Sequence, residues 1–473
     1  MADKFYVTAA IPYVNGFPHL GHSLEFIITD VIQRYQKLLG KEVFCVSGSD
    51  ENGQKILEAA KKEKLEPQQL ADKNTQAFLD HLKHLNVNFD VWRRATDQKL
   101  HWPGVTKLWQ LCLKNGDIYK KTYRGLYCVG CEQFYTENEL TDGKCPEHDR
   151  RPEIVSEENY FFKLSKYQKQ LEELIASDKL QVLPSVRKNE TLGFIRQGLN
   201  DFSVSRPAER LGNWGIPVPG DPSQVMYVWF DALTIYMTAV GWGYDDKLWQ
   251  KWWPADVHVI GKGIYRFHTV YWPAMLLSAG LPLPKTVLVH GYVNSGGQKM
   301  AKSLGNVVDP EELLKKYGAD PSRYYLLKEI PTQADGDFTE VRFKEVYNAD
   351  LANGLGNLVS RVAKMAEKDG LAGIKTVKPT APDGLFNYLN NYEFNLALEI
   401  LWQKFRGLDQ VIAKDKPWEK SASGRKDLLT AYIKKILNLN YWLQIFLPET
   451  AAKIAKTFTG SKVKIDQSLF PRL

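Results

Sequence analysis

Apolar residues near the start of the chain follow a strand pattern, then a helix pattern, then a strand pattern again. Phe5 to Ala10 is β-branched and aromatic, Leu20 to Leu39 has apolar residues at helical spacing up to Gly40, and Glu42 to Val46 is again strand-like. This order predicts a β-loop-α-β unit, the building block of a doubly wound parallel sheet.

The middle of the chain interrupts this alternation. From about Tyr119 the pattern changes to short strands and turns, and alternating buried strands and helices resume from about Val225 through Val289. We therefore expect an α/β fold in which a split Rossmann-type domain carries an inserted segment.

The last part of the chain has helical periodicity. One apolar face is formed by Leu351, Leu355, Leu358, Val359, Val362 and Met365. The segments Asn395 to Val411 and Asp427 to Phe446 repeat this spacing, whereas Leu371 to Gly384 carries proline and glycine. These patterns predict a C-terminal α-helical bundle with a loop between two of its helices.

Composition adds limits on size and location. The chain has 473 residues, of which 44% are hydrophobic, so about two to four domains are expected. No apolar stretch reaches the roughly 18 residues needed to cross a bilayer, and Met1 to Val7 leads into the first strand without a signal sequence. We expect a cytoplasmic protein with no membrane partner. The net charge of +7 is compatible with a polyanionic partner but does not require one.

Two histidines stand at the predicted start of the first helix. Helix starts present unpaired N–H groups and a positive dipole end to phosphates, and His19 and His22 are three residues apart, on one face of the first turn. Gly21 leaves room for a purine against the backbone. The segment predicts imidazoles that stabilise charge on an α-phosphate during nucleotidyl transfer. The alternative is an ordinary loop with surface histidines.

A second basic motif, Lys299-Met300-Ala301-Lys302-Ser303, lies in the segment from Ser295 to Asn306 after a predicted strand from Thr286 to Val289. Glycines on both sides predict a mobile loop, and Lys299 and Lys302 are spaced to close on a departing pyrophosphate. A solvated basic loop is the alternative. Two such motifs, each after a strand, indicate adenylate chemistry.

The cysteines divide into a cluster and two isolated residues. Cys128 and Cys131 are followed, after thirteen intervening residues, by Cys145 and His148. This is the spacing of a tetrahedral Zn²⁺ site with no open position, which predicts one structural zinc ion; a knuckle that folds without metal is the alternative. The isolated thiols, expected to be buried and inert, are those of Cys45 and Cys112.

The two phosphate-binding motifs resemble the "HIGH" and "KMSKS" signatures of class I aminoacyl-tRNA synthetases, with Leu20 for the usual isoleucine and Ala301 for the usual serine. Neither exchange changes a histidine or a lysine. The segments Ala10 to Gly16, Val228 to Ala232 and Phe267 to Ala274 are similar to methionyl-tRNA synthetases in particular. The resemblance runs over nearly the whole chain.

This resemblance implies a pocket for L-methionine and a site for ATP with Mg²⁺. The family's methionine-binding positions match Ile11, Tyr13, Asp50, Trp229, Ala232, Tyr236, Ile264 and His268. Its ATP-binding positions match His19, Gly21, His22, Gly261, Val293 and Lys302. A carboxylate suits the substrate ammonium, and an aromatic slot suits the flexible thioether. The family commonly has an aspartate near the ribose where this chain has Gly263, so the resemblance implies an altered ribose contact.

The resemblance also implies a tRNA partner. Asn357 and Arg361 match the family's Asn-x-x-x-Arg anticodon readers, and Trp418 matches an indole that stacks on an anticodon base. Without the resemblance, these residues would be a solvated helix face and a packed surface aromatic. The family's zinc knuckle lies in a connective insertion that shapes access for the acceptor end of tRNA(Met).

The predicted organisation has five segments. They are the first half of the Rossmann-type catalytic domain (1–118), the connective insertion with the zinc knuckle (119–220), the second catalytic half (221–294), a connecting domain with the lysine loop (295–350) and an α-helical anticodon-binding domain (351–473). The chain ends soon after the bundle, which favours a monomer. The implied reaction activates L-methionine with ATP and transfers it to the 3′ end of tRNA(Met).

Other functions explain fewer of these sequence features. A cysteine-type synthetase uses zinc to bind its substrate, whereas this ligand set lies in the insertion; leucine, isoleucine and valine enzymes carry an editing insertion much larger than the segment from about Tyr119 to Gly220. A zinc-ribbon RNA-binding protein without catalysis would leave both phosphate motifs vestigial. A tRNA-independent nucleotidyltransferase, such as a pantoate-type ligase, would leave the helical bundle unexplained.

Overall fold

A computed structural model describes residues 3–129, 133–135, 137–146, 149–299, 308–374, 378–465 and 468–473. The strands are β1 Lys4–Ala9, β2 Glu42–Ser49, β3 Val91–Arg94, β4 Ile118–Cys128, β5 Gln133–Tyr135, β6 Glu153–Phe162, β7 Gln181–Leu183, β8 Phe202–Ser203, β9 Ser205–Pro207, β10 Pro217–Val218, β11 Asp221–Met226, β12 Val257–Gly261, β13 Thr286–His290, β14 Val293–Ser295, β15 Gln298–Lys299 and β16 Gly336–Phe338.

The α-helices are α1 Leu20–Leu38, α2 Gln54–Glu63, α3 Pro67–His84, α4 Trp102–Lys114, α5 Gln168–Ala176, α6 Ser185–Arg196, α7 Val228–Thr238, α8 Asp246–Trp252, α9 Trp272–Ser278, α10 Pro310–Tyr317, α11 Ala319–Glu329, α12 Glu340–Val346, α13 Asn357–Lys368, α14 Leu385–Asn390, α15 Phe394–Asp415, α16 Ala422–Leu443 and α17 Pro448–Thr459. Two π-helical segments, Phe267–Tyr271 and Tyr347–Gly356, precede α9 and α13. Within the described part of the chain, every helix is too short or too polar to cross a bilayer.

The chain folds into two compact units. The first unit comprises Met1–Pro18, Gln36–His81 and Asn88–Val289. The second unit comprises His19–Tyr35, Leu82–Val87 and His290–Leu473.

The core of the first unit is a six-stranded sheet in the order β3-β2-β1-β12-β13-β7. The pairings β3–β2, β2–β1, β1–β12 and β13–β7 are all parallel. Strands of such a sheet are covered on both faces, which explains why Phe5 to Ala9 and Val257 to Ile260 are buried throughout. The predicted doubly wound α/β fold is confirmed.

The strand order places a switch point beside β1. The sheet continues from β1 to β2 on one side and to β12 on the other. In sheets of this kind, ligands bind where the carboxyl ends of the strands diverge from such a point. We therefore expect the residues that follow β1, β2 and β12 to form a ligand-binding site.

Between β3 and β12 the first unit carries two small sheets, β5-β4-β6-β8 and β10-β11-β9, while β7 joins the edge of the six-stranded sheet. The sequence predicted short strands, but β4 and β6 form an antiparallel ladder of 11 and 10 residues. Most of their side chains are exposed or half-buried, so the strands lack the apolar pattern by which their length would be recognised. The prediction of short strands was wrong for this pair.

The second unit contains the helical bundle. The predicted face from Leu351 to Met365 is divided between the π-helical segment Tyr347–Gly356 and α13, Asn395 to Val411 lies in α15, and α16 ends three residues before the predicted Phe446. The described part of Leu371 to Gly384 is a loop, as expected. The side chain of Arg323 is fully buried and donates to the Asp30 carboxylate at 2.7 Å and to the Phe446 carbonyl at 2.8 Å. This guanidinium ties α11 to α1 and to the end of α16 within the unit.

The segment that begins at Ser295 is a hairpin before it reaches the lysine motif. β14 and β15 pair antiparallel, with Asn294 opposite Lys299, and Gly296 and Gly297 form the two-residue turn at φ values of 61° and 76°. Positive φ at both central positions is the requirement of a type I′ turn. The glycines therefore close a hairpin here, and the prediction of a loop without regular structure was wrong for Ser295 to Lys299. Residues 300–307, which include Lys302, lie outside the described residues.

Candidate active site

The predicted amino-acid pocket lies in the first unit, at the switch point of its sheet. Ile11 and Tyr13 follow β1, Asp50 follows β2, and Ile264 follows β12. Trp229, Ala232 and Tyr236 are on α7, and His268 is in the π-helical segment before α9. All eight predicted residues therefore lie on elements at or beside the carboxyl ends of neighbouring strands.

The backbone fixes the position of Asp50. Its N–H donates to the Pro12 carbonyl at 2.9 Å, and its own carbonyl accepts from the Val14 N–H at 3.1 Å. Tyr13 pairs with Asp50 in a parallel bridge, and its hydroxyl donates to the Asn52 carbonyl at 2.6 Å. The Asp50 residue is only 5% exposed. A carboxylate held this rigidly and this far from bulk water is suited to a cationic ligand group.

His268 is a neutral, oriented imidazole. Burial lowers the pKa of His268 to about 4, although the hydrogen bond to the Ile264 carbonyl opposes this shift. The ring is therefore uncharged at neutral pH. Nδ1 donates to the Ile264 carbonyl at 3.0 Å, so Nε2 accepts from the Tyr236 hydroxyl at 2.7 Å. Both side chains are 1% exposed. They form a rigid, uncharged end to the pocket.

An aromatic stack forms a further wall. The Trp229 and Phe267 rings are stacked, with centroids 3.8 Å apart and planes 4° from parallel. The Trp229 and His268 rings are nearly perpendicular, with centroids 6.3 Å apart. A slot lined by these rings suits an apolar, polarisable side chain.

The predicted phosphate-binding histidines lie in the second unit, where they cap α1. The His19 carbonyl accepts from the N–H groups of His22 and Ser23 at 2.9 and 3.1 Å, which makes His19 the N-cap residue. Nδ1 of His19 accepts from the His22 N–H, and Nδ1 of His22 accepts from the His19 N–H, each at 3.3 Å. This reciprocal exchange is the geometry of a capping box, made here by two imidazoles.

The capping box determines what the two rings present. The rings are stacked, with centroids 3.7 Å apart, so the expected common face is observed. Since Nδ1 of each neutral ring accepts, the ring proton lies on Nε2. A Cβ atom at Gly21 would come within 3.0 Å of the His19 ring. Glycine at this position therefore leaves the imidazole in place, at a helix N-terminus where each ring has an Nε2–H donor.

The other described residues predicted to bind ATP lie in strands. Val293 is the first residue of β14 and is paired with Gly336 of β16. Just before it, His290 lies 3.1 Å from the Glu25 carboxylate of α1, a contact that sequence reasoning did not predict. In the first unit, Gly261 ends β12. Lys299 lies in β15, and Lys302 is outside the described residues.

Two of the four predicted zinc ligands are described. Cys128 and Cys145 are buried in one small cluster with Tyr135, whose hydroxyl is 3.6 Å from the Cys145 sulfur. Cys131 and His148 lie outside the described residues, and no group of three metal-binding side chains is found among those described. In contrast, Cys112 is an isolated buried thiol whose pKa is raised by burial to about 12.

The predicted anticodon residues lie in the second unit. Asn357 is exposed at the start of α13, and Arg361, one turn later, is partly buried and ion-paired with Asp409 of α15. Trp418 stands in the short turn between α15 and α16 and is 50% exposed. Arg361 is thus already oriented by a partner, which the sequence did not predict. An indole left half exposed by the fold is available for stacking.

The chain is similar to known proteins over nearly its whole length. The family model for "tRNA synthetases class I (M)" matches residues 5–151 and 138–363. A methionine–tRNA ligase of Thermotoga maritima is 38% identical over 95% of this chain and 74% of its own length, and one of Nostoc sp. is 41% identical over 96% and 89%. The Mycobacterium tuberculosis methionyl-tRNA synthetase in complex with methionyl-adenylate has a TM-score of 0.91 and 34% identity, covering 99% of this chain and 100% of that one.

Proposed function

This chain belongs to the methionine type of class I aminoacyl-tRNA synthetases, and from that membership we propose that it is a methionine–tRNA ligase. It activates L-methionine with ATP to methionyl-adenylate and transfers the methionyl group to the 3′ end of tRNA(Met). The observation that carries this assignment is the pocket at the switch point, where the rigidly held Asp50 carboxylate accompanies the Trp229–Phe267 wall and the neutral Tyr236–His268 pair.

Both steps use substrate groups as nucleophiles. In the first step a carboxylate oxygen of methionine attacks the α-phosphorus of ATP, the bond to the bridging α–β oxygen breaks, and pyrophosphate leaves. In the second step the terminal ribose hydroxyl of tRNA attacks the adenylate carbonyl, and AMP leaves. The protein supplies alignment and charge stabilisation, and no covalent intermediate with the enzyme forms.

We assign the ATP-side roles from the ring geometry and the lysine spacing. His19 and His22 donate through Nε2–H to the α-phosphate, where negative charge builds in the transition state. Lys299 and Lys302 neutralise the β- and γ-phosphates, and Mg²⁺ enters with ATP and neutralises the pyrophosphate. Gly21, Gly261 and the backbone at Val293 contact the nucleoside.

The methionine-side roles follow from the pocket chemistry. Asp50 pairs with the substrate ammonium. The apolar surface of Ile11, Tyr13, Trp229, Ala232 and Ile264 takes the thioether. The neutral Tyr236–His268 pair closes the far end without offering a charge to polar competitors, since His268 remains uncharged at neutral pH.

Amino-acid-dependent ATP–pyrophosphate exchange tests the activity directly. We expect L-methionine to support exchange, and cysteine, leucine, isoleucine and valine to support it about a hundredfold less in kcat/KM. Exchange that responds best to one of those other amino acids would overturn the assignment of the substrate. A protein that binds tRNA but catalyses no exchange with any amino acid would be the non-catalytic alternative.

The anticodon assignment separates charging from activation. Stacking of one base on an aromatic ring contributes about 1–3 kcal/mol, so Trp418→Ala is expected to lower tRNA charging about tenfold or more, through a higher KM for tRNA. Methionine-dependent exchange should be unchanged, because it requires no tRNA. Phe386→Ala, which removes another exposed aromatic side chain of the second unit, is the control. A Trp418→Ala variant that slows exchange as much as charging would contradict the assignment.

We propose that Cys128, Cys131, Cys145 and His148 hold one structural zinc ion. The support is that Cys128 and Cys145, the described pair, are buried together in one cluster with Tyr135, and thiolates and imidazole are the ligands that structural zinc prefers. Bound there, zinc would crosslink the knuckle and supply folding energy rather than catalysis.

Metal analysis tests the zinc proposal. We expect about one zinc per chain in purified protein, and a loss of most of it in Cys128→Ser. Cys112→Ser is the matched control, because that thiol is equally buried and isolated, and its zinc content should equal that of the wild type. Zinc-free wild-type protein purified without chelators would contradict the proposal.

We propose the five-segment organisation given above, with the acceptor end of tRNA guided by the connective insertion, and a monomer acting in the cytosol, where buried thiols such as those of Cys45 and Cys112 stay reduced. Analytical ultracentrifugation of the purified chain checks the oligomeric state.

A further inference from the structure

A fully buried polar network lies behind the predicted methionine pocket of the first unit. Asp231, on α7, is 1% exposed and accepts from Nε2 of His101 at 2.5 Å through one oxygen. Its other oxygen accepts from the side-chain amide of Asn52. Nδ1 of His101 faces the Thr238 hydroxyl at 2.8 Å. Neither His101 nor Asn52 belongs to the residues predicted from the sequence.

The hydrogen-bond roles in this network are determined by Asp231. An ionised carboxylate only accepts, so the proton of the His101 ring lies on Nε2 and the Asn52 amide nitrogen is the donor. Each carboxylate oxygen has one strong donor and no exposure to water, and such charge-assisted bonds are short and directional. The network therefore holds its members in one arrangement.

The network joins the two halves of the pocket. Asn52 is two residues after Asp50, and its carbonyl accepts from the Tyr13 hydroxyl at 2.6 Å. Asp231 stands on α7 between Trp229 and Ala232. The Asp231–Asn52 bridge is thus a direct link between the loop that carries the predicted ammonium partner and the helix that carries the side-chain slot.

A second anchor keeps the loop from yielding. Glu51, between Asp50 and Asn52, is fully buried and accepts from Ser49 at 2.6 Å, Thr75 at 2.8 Å and Arg94 at 2.7 Å. With Glu51 bound on one side and Asn52 on the other, the loop has no low-cost way to move relative to α7. Because Glu51 holds the loop independently, loss of the Asp231–Asn52 bridge would let α7, which carries the slot, shift relative to Asp50.

We propose that Asp231, oriented by His101 and bridged to Asn52, is a positioning residue that sets the length of the methionine pocket and thereby its selectivity among linear side chains. This inference rests on the proposed function. It concerns the separation between the ammonium partner and the side-chain slot, and not any contact of Asp231 with substrate.

Two single replacements break the bridge in different ways. In Asp231→Asn, the new amide N–H is directed at either the His101 N–H or the Asn52 amide N–H, so two donors face each other. In Asn52→Asp, two carboxylates face each other. For each we expect the KM for methionine to rise about tenfold with little change in the KM for ATP, and the preference for methionine over norleucine and ethionine to fall about threefold to tenfold.

The exchanged pair provides the rescue. In the double variant Asn52→Asp/Asp231→Asn, the amide at position 231 donates to the carboxylate at 52 and its oxygen still accepts from His101. We expect the double variant to recover KM and selectivity to within about threefold of the wild type, a non-additive result typical of directly contacting residues. Thr238→Val, which removes the partner of His101 Nδ1 together with a 3.4 Å contact to the Ile235 carbonyl, should shift both values in the same direction by about twofold.

A buried carboxylate elsewhere in the unit separates positioning from stability. Asp117 is 1% exposed and accepts from Tyr167, Lys166 and Ser278. Asp117→Asn should lower the melting temperature but leave the KM for methionine and the selectivity unchanged. If either single variant fails to fold, the double variant and Thr238→Val still decide the question.

The outcomes separate this inference from the proposed function. A wild-type enzyme without methionine-dependent exchange would refute the function itself. An active wild type with normal KM and selectivity in folded single variants or in Thr238→Val, or with a double variant no better than the sum of the singles, would overturn the positioning role. The same shifts in Asp117→Asn would show a general effect of destabilisation and would also overturn it.

Discussion

The double variant His19→Ser/His22→Gln is expected to lower methionine-dependent ATP–pyrophosphate exchange by about a hundredfold to a thousandfold, with an unchanged melting temperature. The two imidazoles have separate structural and chemical tasks. Their Nδ1 atoms close the reciprocal hydrogen bonds at the start of α1, and their Nε2–H groups are the donors assigned to the α-phosphate. Serine at the N-cap and glutamine three residues later rebuild a capping box without those donors.

This design removes an ambiguity of simple alanine replacements. His19→Ala would delete the cap together with the donor, and loss of an N-cap alone costs about 1 kcal/mol of stability. In the serine–glutamine variant a fall in exchange has no such structural explanation. The matched control is His84→Ala, which removes a surface histidine of the same unit whose Nδ1 lies 2.6 Å from the Glu311 carboxylate.

Thermal denaturation and exchange kinetics are measured on the same preparations. The kcat for exchange should fall while the KM for methionine changes little, since the donors act on charge that develops in the transition state. Exchange within about tenfold of the wild type would show that the imidazoles serve the helix and not the phosphate.

The histidine pair also shows how far sequence spacing reaches. A separation of three residues predicted a common face, because that is a property of every α-helical turn, and the stacked rings confirm it. The capping box was not predicted, because the usual cap acceptors are the side chains of Ser, Thr, Asp and Asn. The spacing therefore predicted a phosphate-binding role for the two imidazoles, but not the Nδ1 hydrogen bonds that orient their rings.

Long-range partners have no signal in a single sequence. His101 and Asp231 are 130 positions apart, and Arg361 and Asp409 are 48 apart. Neither pair has a spacing that a helix or strand would bring together. The parallel sheet was predictable because burial on both faces leaves continuous apolar runs such as Val257 to Ile260, whereas a buried polar pair leaves no run at all.

The two glycines Gly296 and Gly297 are a local sequence signal that is compatible with more than one structure. Ser295-Gly296-Gly297-Gln298 places two glycines between polar residues, a pattern that fits both a mobile loop and a two-residue hairpin. The hairpin is favoured here because β14 also pairs with β16 and the Gly297 N–H donates to Asp337 at 2.8 Å. These tertiary bonds decide between two conformations that the local sequence allows equally.

The second large effect is expected at the ammonium site. Asp50→Asn should lower kcat/KM for methionine by about two to three orders of magnitude, because removal of one partner of a desolvated charge pair typically costs about 2–5 kcal/mol. The side chain keeps its shape, and the backbone bonds to Pro12 and Val14 are unaffected, so the change is one of charge. Most of the loss should appear in the KM for methionine, with the KM for ATP nearly constant.

Two methionine analogues identify the group that Asp50 binds. Methioninol keeps the ammonium, whereas the desamino analogue of methionine lacks it, and each is measured as a competitive inhibitor of exchange. Asp50→Asn should weaken methioninol about a hundredfold and leave the desamino analogue within about threefold of its wild-type inhibition constant. Glu58→Gln, at an exposed carboxylate of α2, is the charge-matched control and should change neither constant.

The analogue comparison also separates charge from pocket shape. If Asp50→Asn weakened both inhibitors equally, the replacement would have disturbed the Tyr13–Asn52 side of the pocket, and Asp50 would not be the ammonium partner. If it weakened neither, the ammonium would be bound elsewhere. Selective loss of methioninol binding is the one result consistent with a buried carboxylate that is held in place before the substrate binds. Removing the charge of such a carboxylate weakens the binding of a ligand with the opposite charge and leaves the binding of an uncharged group unchanged.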